Sequence, residues 1–147
     1  MNDVTIRILN SVTKALIDSS QGYQACAEVC EDNYKLQSEF ARRREERNEI
    51  ISEFQNHVRE LGGDPAETGS LSGAVHRGFT RFSSLFRDDE VAAISALDDG
   101  EEFLAEKIED KLKDYIVDDS TAELLTKAHL AAKKGERFAD MIGQNFK

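Results

Sequence analysis

Five carboxylates on helical stretches are the residues of this sequence best suited to chemistry: Asp18, Glu49, Glu53, Glu101 and Glu136. Carboxylate oxygens favour hard or borderline cations, so gathered at one level of a bundle they would suit iron or another divalent metal. A helical bundle that oxidises substrates at two metal ions needs more than this. It takes one Glu from each of two helices and a Glu-x-x-His from each of the other two. Positions i and i+3 share a face, which lets carboxylate and imidazole converge on one metal pair. The nearest approaches here are Glu46-x-x-Glu49 and Glu53-x-x-x-His57, with His129 and Glu136 further on. None of these is Glu-x-x-His. No catalytic residue is assigned, and the five carboxylates form at most a reduced metal site.

Glu101 is the most informative of the five. The spacing Ile94, Leu97, Glu101, Leu104, Ile108 puts its side chain on the same helical face as four apolar neighbours. A carboxylate there must be paired or protonated, because burying an isolated charge is costly. Arg47 is the favoured partner for an ion pair, and Asp18 or Glu53 would share a metal with it. A small error of register would instead turn Glu101 outward.

The remaining candidates have simpler readings. His57 with Glu53, one turn away, is expected as a surface pair, the alternative being a pair of metal ligands. His76-Arg77 suits a clamp that packs a loop onto the bundle, or an anion site. His129, between Lys127 and Lys133, is expected to be solvated. Cys26 and Cys30 lie one turn apart with parallel side chains, a poor geometry for a disulfide, and read as core filling or as two thiolates for a metal. There is no Gly-rich phosphate loop, and neither Cys has the neighbouring base that a nucleophile needs.

The elements that must position these groups are long helices. Charged residues make up 33% of the 147-residue chain and aromatics 7%, a profile of amphipathic helices that suits one domain. Apolar periodicity predicts helices over about 3–32, 34–61, 87–117 and 121–146. Gly22, inside the first, predicts a close approach by a neighbouring helix. The second and third helices are separated by Leu61–Arg87, which holds the only proline and five of the nine glycines. Val75, Phe79, Phe82, Leu85 and Phe86 give that stretch an apolar face, so a crossover (about 62–87) with a short helix is expected. Short, long and short connections define two antiparallel hairpins joined end to end. The predicted fold is all-α, a single ferritin-like four-helix bundle spanning 1–147.

A net charge of −10 opposes binding to nucleic acid or an anionic membrane. No apolar run approaches the length of a membrane span and no signal peptide is evident, so a cytoplasmic location is expected. The apolar crossover residues predict a homo-oligomer.

The crossover Leu61-Gly62-Gly63-Asp64-Pro65 … Gly73-Ala74-Val75-His76-Arg77-Gly78-Phe79 carries a family resemblance. With Asp18 … Gly22-Tyr23 before it and Gly100-Glu101-Glu102 after it, the chain resembles a bacterial family of small ferritin-like four-helix-bundle proteins catalogued as a domain of unknown function. The resemblance implies the fold and a cytoplasmic bacterial protein, and it implies no established activity, small-molecule ligand or cofactor. The functional expectation is a non-catalytic structural or interaction protein, associated with stress by analogy of fold alone. The alternative is a metal-binding or oxidase-like protein with a degenerate mid-bundle carboxylate site.

Overall fold

The computed structural model describes residues 2–69 and 90–145, and they form four helices: α1 (Asn2–Val29), α2 (Tyr34–Glu60), α3 (Glu90–Asp114) and α4 (Asp119–Asn145). The four long helices expected are present. Their boundaries move for identifiable reasons. α1 stops at Val29, short of Asp32, and Asn33 caps α2 by accepting a hydrogen bond from the Leu36 amide at 3.1 Å. α3 ends at Asp114 rather than Val117. Asp118 accepts the Thr121 hydroxyl at 2.6 Å, and α4 begins two residues earlier than its periodicity suggests.

α2 ends in a Schellman motif. The Gly63 amide donates to the Val58 carbonyl and the Gly62 amide to the Arg59 carbonyl, both at 3.0 Å, with Gly62 at φ 87°. The chain then climbs back along α1. Asn10 donates to the Asp64 carbonyl and accepts from the Ala66 amide, while Gln55 of α2 donates to the Ala66 carbonyl, each at 2.9 Å. By Gly69 the backbone lies against Asp18, halfway along α1. The crossover's expected short helix, its apolar face and His76 lie outside the described residues.

α1 packs on α2 and α3 on α4 as two hairpins. The hairpins meet chiefly through α1 and α3, and the α2–α4 seam is thinner. Two apolar clusters fill the interior. Near the start of α1 are Leu9, Val12, Leu16, Phe54, Val58, Leu104, Ile108 and Leu125. At the opposite end are Tyr23, Cys26, Phe40, Ile94, Leu97, Phe138 and Ile142. Ser19, Arg47 and Glu101 are buried yet belong to neither cluster, and they lie between them along the helices. Among the described residues no helix is long and apolar enough to cross a membrane.

Candidate functional site

The polar layer between the two clusters is built from the faces that the helices turn inward. On α1, Ser19 and Tyr23 are one turn apart on the buried stripe that also holds Leu16 and Cys26. On α2, Arg47 occupies the inward position between Phe40 and Phe54, and on α3 Glu101 stands between Leu97 and Leu104. Arg47 is 3% exposed and Glu101 is 0% exposed.

The two charges meet as a fork. Arg47 Nη1 donates to Glu101 Oε1 and Nη2 to Oε2, both at 2.7 Å. Ser19 Oγ donates to Oε1 and the Tyr23 hydroxyl to Oε2, again at 2.7 Å. Arg47 Nη1 also donates to Ser19 Oγ, so the serine hydroxyl works as donor and acceptor at once. A carboxylate offers about four lone-pair sites, and these four donors use them. The Arg47 guanidinium additionally lies 5.4 Å from the centroid of the Tyr23 ring.

Titration behaviour follows from this enclosure. Burial, then the charge of Glu101, pushes the Tyr23 hydroxyl far above the ordinary phenol range, so it remains a donor. Burial works against the charge on Arg47, but its hydrogen bonds to Glu101 and the attraction of that carboxylate prevail and hold the guanidinium above its usual value.

The fourth helix contributes by what it lacks. A Cβ at Gly135 of α4 would collide with Glu101 Oε2 and with the Tyr23 hydroxyl. Gly135 therefore makes room for the network, and all four helices meet at it. At Gly22, where a close approach is expected, the nearest atom to an added Cβ would be Leu97 Cδ1 at 3.6 Å, an ordinary contact. The tight position is on α4, not on α1.

The Arg47–Glu101 pairing is the one anticipated from spacing. The other carboxylates do not join it. Glu49 is exposed, because two residues beyond Arg47 a helix has turned by roughly 200°. Glu53 accepts from Lys127 at 2.8 and 2.9 Å, and Glu136 from Lys133 at 3.2 Å. Asp18 is half-buried beneath Gly69, where its charge reaches Lys107. The set Asp18, Glu49, Glu53, Glu101 and Glu136 is thus dispersed. Among the described residues no group of three or more His, Cys, Asp or Glu side chains is placed to hold a metal ion. A pair of carboxylate-bridged metals does not fit the mid-bundle level, where an arginine already occupies Glu101, the one fully buried carboxylate among the described residues.

The histidines also differ from expectation. His57 turns away from Glu53, with Nε2 3.0 Å from Thr121 Oγ1 and Nδ1 3.5 Å from Glu60 Oε2. His129 is half-buried rather than solvated, with Nε2 2.7 Å from Glu109 Oε1. Cys26 and Cys30 are buried free thiols, and Cys26 Sγ donates to the Ala93 carbonyl at 3.5 Å. Burial, then the neighbouring Cys30, pushes the Cys26 thiol up to about 12, and burial with Glu90 pushes Cys30 up to about 11. They are core filling and poor nucleophiles. Sequence reasoning missed Ser19 and Tyr23 as partners of Glu101. The available signal was two polar side chains one turn apart on an otherwise apolar stripe.

A family model described as a domain of unknown function, DUF2383, matches residues 4–114. Those residues run from the first turn of α1 to the end of α3 and include Ser19, Tyr23, Arg47 and Glu101. Neither the curated proteins nor the solved structures contain a match to the chain.

Proposed function

The chain belongs to the DUF2383 family, and on that premise we propose that it is a ferritin-like bundle with a structural role, a helical body that associates with copies of itself rather than an enzyme. The observation that carries this reading is the saturation of Glu101. Its two oxygens accept from Arg47, Ser19 and Tyr23. Capturing a metal there would expel a buried guanidinium into an apolar interior, which costs several kcal/mol. The ferritin-like assignment is supported by two hairpins joined through a long connection. Self-association is supported by Leu112, Tyr115 and Ile116, which leave apolar surface exposed at the end of α3.

Two measurements test the proposal. Protein purified without chelator is assayed for metal by plasma mass spectrometry, and its melting temperature is followed with and without added Fe(II), Mn(II) and Zn(II). A substoichiometric content and an unmoved melting temperature are expected. Stoichiometric metal that disappears in Glu101→Gln would favour the metal-binding, oxidase-like alternative. Sedimentation at tens of micromolar should show a species heavier than the 16.5 kDa monomer. A monomer alone would remove the self-association half.

A further inference from the structure

The apolar surface at the end of α3 continues onto α1. Gly22 of α1 faces Leu97 of α3, close enough that an added Cβ would touch Leu97 Cδ1 at 3.6 Å. The two helices run antiparallel, since Ser19 bonds Glu101 while Cys26, further along α1, bonds the Ala93 carbonyl. Eighteen residues are about five whole turns and return a helix to the same face. Val4 lies that far before Gly22, and Tyr115 that far after Leu97, its amide still donating to the Lys111 carbonyl at 3.2 Å. Val4 and Tyr115 therefore stand across the α1–α3 seam from each other at the end of the bundle. They nonetheless remain 44% and 43% exposed. Leu112 is also exposed, and Ile116, at the corner leaving α3, is fully so. One patch thus holds a projecting isoleucine and the open end of an apolar seam.

Charge decides what such a patch can meet. The chain carries a net charge of −10, so two copies repel over most of their surface. Within one turn of Val4 and Leu112 the signs balance. Arg7, Lys111 and Lys113 stand against Asp3, Asp110 and Asp114, while Glu109 is turned to His129. A patch with both signs and both shapes can be complementary to itself.

We propose that a second copy of this chain docks on this end through a two-fold contact, with Ile116 of each copy seated between Val4 and Tyr115 of the other. The dimer so formed rests on the self-association proposed above and specifies its surface. Because both copies use the same patch, the contact closes at two and leaves no face free to extend. Tyr115 and Ile116 lie at its centre, where desolvation is most complete and truncation most costly.

Sedimentation equilibrium of the full chain at tens of micromolar tests this. The parent should weigh twice the 16.5 kDa monomer. Ile116→Asp should raise the dimer dissociation constant by at least about tenfold. Val4→Asp, on the other helix, should do the same, because it puts a carboxylate into the seat. Met141→Asp, at an exposed apolar position of α4, should leave the constant unchanged. All three side chains are exposed, so each variant should keep the parent fold, which circular dichroism of dilute samples checks. A dimer that persists in Ile116→Asp or in Val4→Asp overturns this surface and leaves self-association standing. Equal weakening by Met141→Asp would trace the effect to net charge and overturn it too. A parent heavier than a dimer overturns the two-fold contact. A parent that stays monomeric removes this dimer and self-association together, leaving the patch to a different protein.

Discussion

Gly135 of α4 stands so close to Glu101 of α3 that a single methyl group in place of its hydrogen would strike the carboxylate oxygen Oε2. The fork from Arg47 is thereby completed by a helix that donates no hydrogen bond to it. Burying a bidentate ion pair in a core is not by itself stabilising, since the attraction must offset the loss of hydration of both groups. It does make any other alignment of the four helices costly, because a shifted register would strand one of the charges.

Breaking that pair from one side is expected to be severe. Glu101→Ala leaves the Arg47 guanidinium buried without a counter-charge and should cost about 3–5 kcal/mol. Glu101→Gln keeps the shape and one acceptor and should cost less. Replacing both residues together, Arg47→Met with Glu101→Leu, should restore most of the loss. Urea unfolding midpoints of the four proteins check the ranking, and a double variant as unstable as Glu101→Ala would contradict it.

Two of the helical glycines, Gly135 and Gly22, should respond with opposite sign. Gly135→Ala forces Glu101 and Tyr23 apart and should destabilise by about 2–3 kcal/mol through crowding and a lost hydrogen bond. Gly22→Ala meets only an ordinary contact with Leu97. The gain in helix propensity should then stabilise by about 0.5–1 kcal/mol. Thermal melts of the two variants beside the parent decide the point.

Alkaline solution should unfold the protein in a way that traces to its buried acids. Tyr23, Cys26 and Cys30 all have folded values raised above their ordinary ones, chiefly by burial. A raised group contributes stability that is fully present below its unfolded value and is lost as pH climbs toward the folded one. The unfolded thiols and phenol release protons first, so the decline begins near the ordinary thiol range and steepens through the ordinary phenol range. The melting temperature should fall accordingly between neutral pH and about pH 11. Cys26→Ala and Tyr23→Phe should each flatten the fall, although Tyr23→Phe also removes a donor to Glu101 and lowers stability at every pH. A disulfide reagent should leave both thiols unmodified until the chain unfolds.

Asp98, half-buried on α3, predicts the same sign of behaviour at lower pH. Burial raises its carboxyl, with Asp140, Glu136, Asp99 and Glu102 adding like-charge repulsion in that order. Its ionisation is therefore unfavourable to the fold at neutral pH, and the penalty vanishes once the pH drops below the unfolded carboxylate range. Asp98→Asn should raise the melting temperature at pH 7 and leave it unchanged in acid. Equal gains at both would point to a cause other than charge.

Four helices, two hairpins and a long connection were legible in the residue pattern because each rests on local physics. Periodic apolar positions and the glycine pair that follows Leu61 act within a few residues of themselves. Glu101 was legible as a problem, a charge on an apolar stripe, and Arg47 as its solution, because both sit on inward stripes near the middle of their helices. What only the packed molecule decided was direction and closeness. Whether Glu53 turns to a metal or to Lys127, whether His57 faces Glu53 or Thr121, and which glycine stands against a neighbour depend on how helices far apart in sequence rotate about their axes. A rotation of a few tens of degrees leaves the apolar stripe buried and moves a side-chain tip by several ångströms. The sequence alone therefore determines the helices and the polar layer at mid-bundle, while tertiary packing closes that layer around Arg47 and leaves the other carboxylates facing elsewhere.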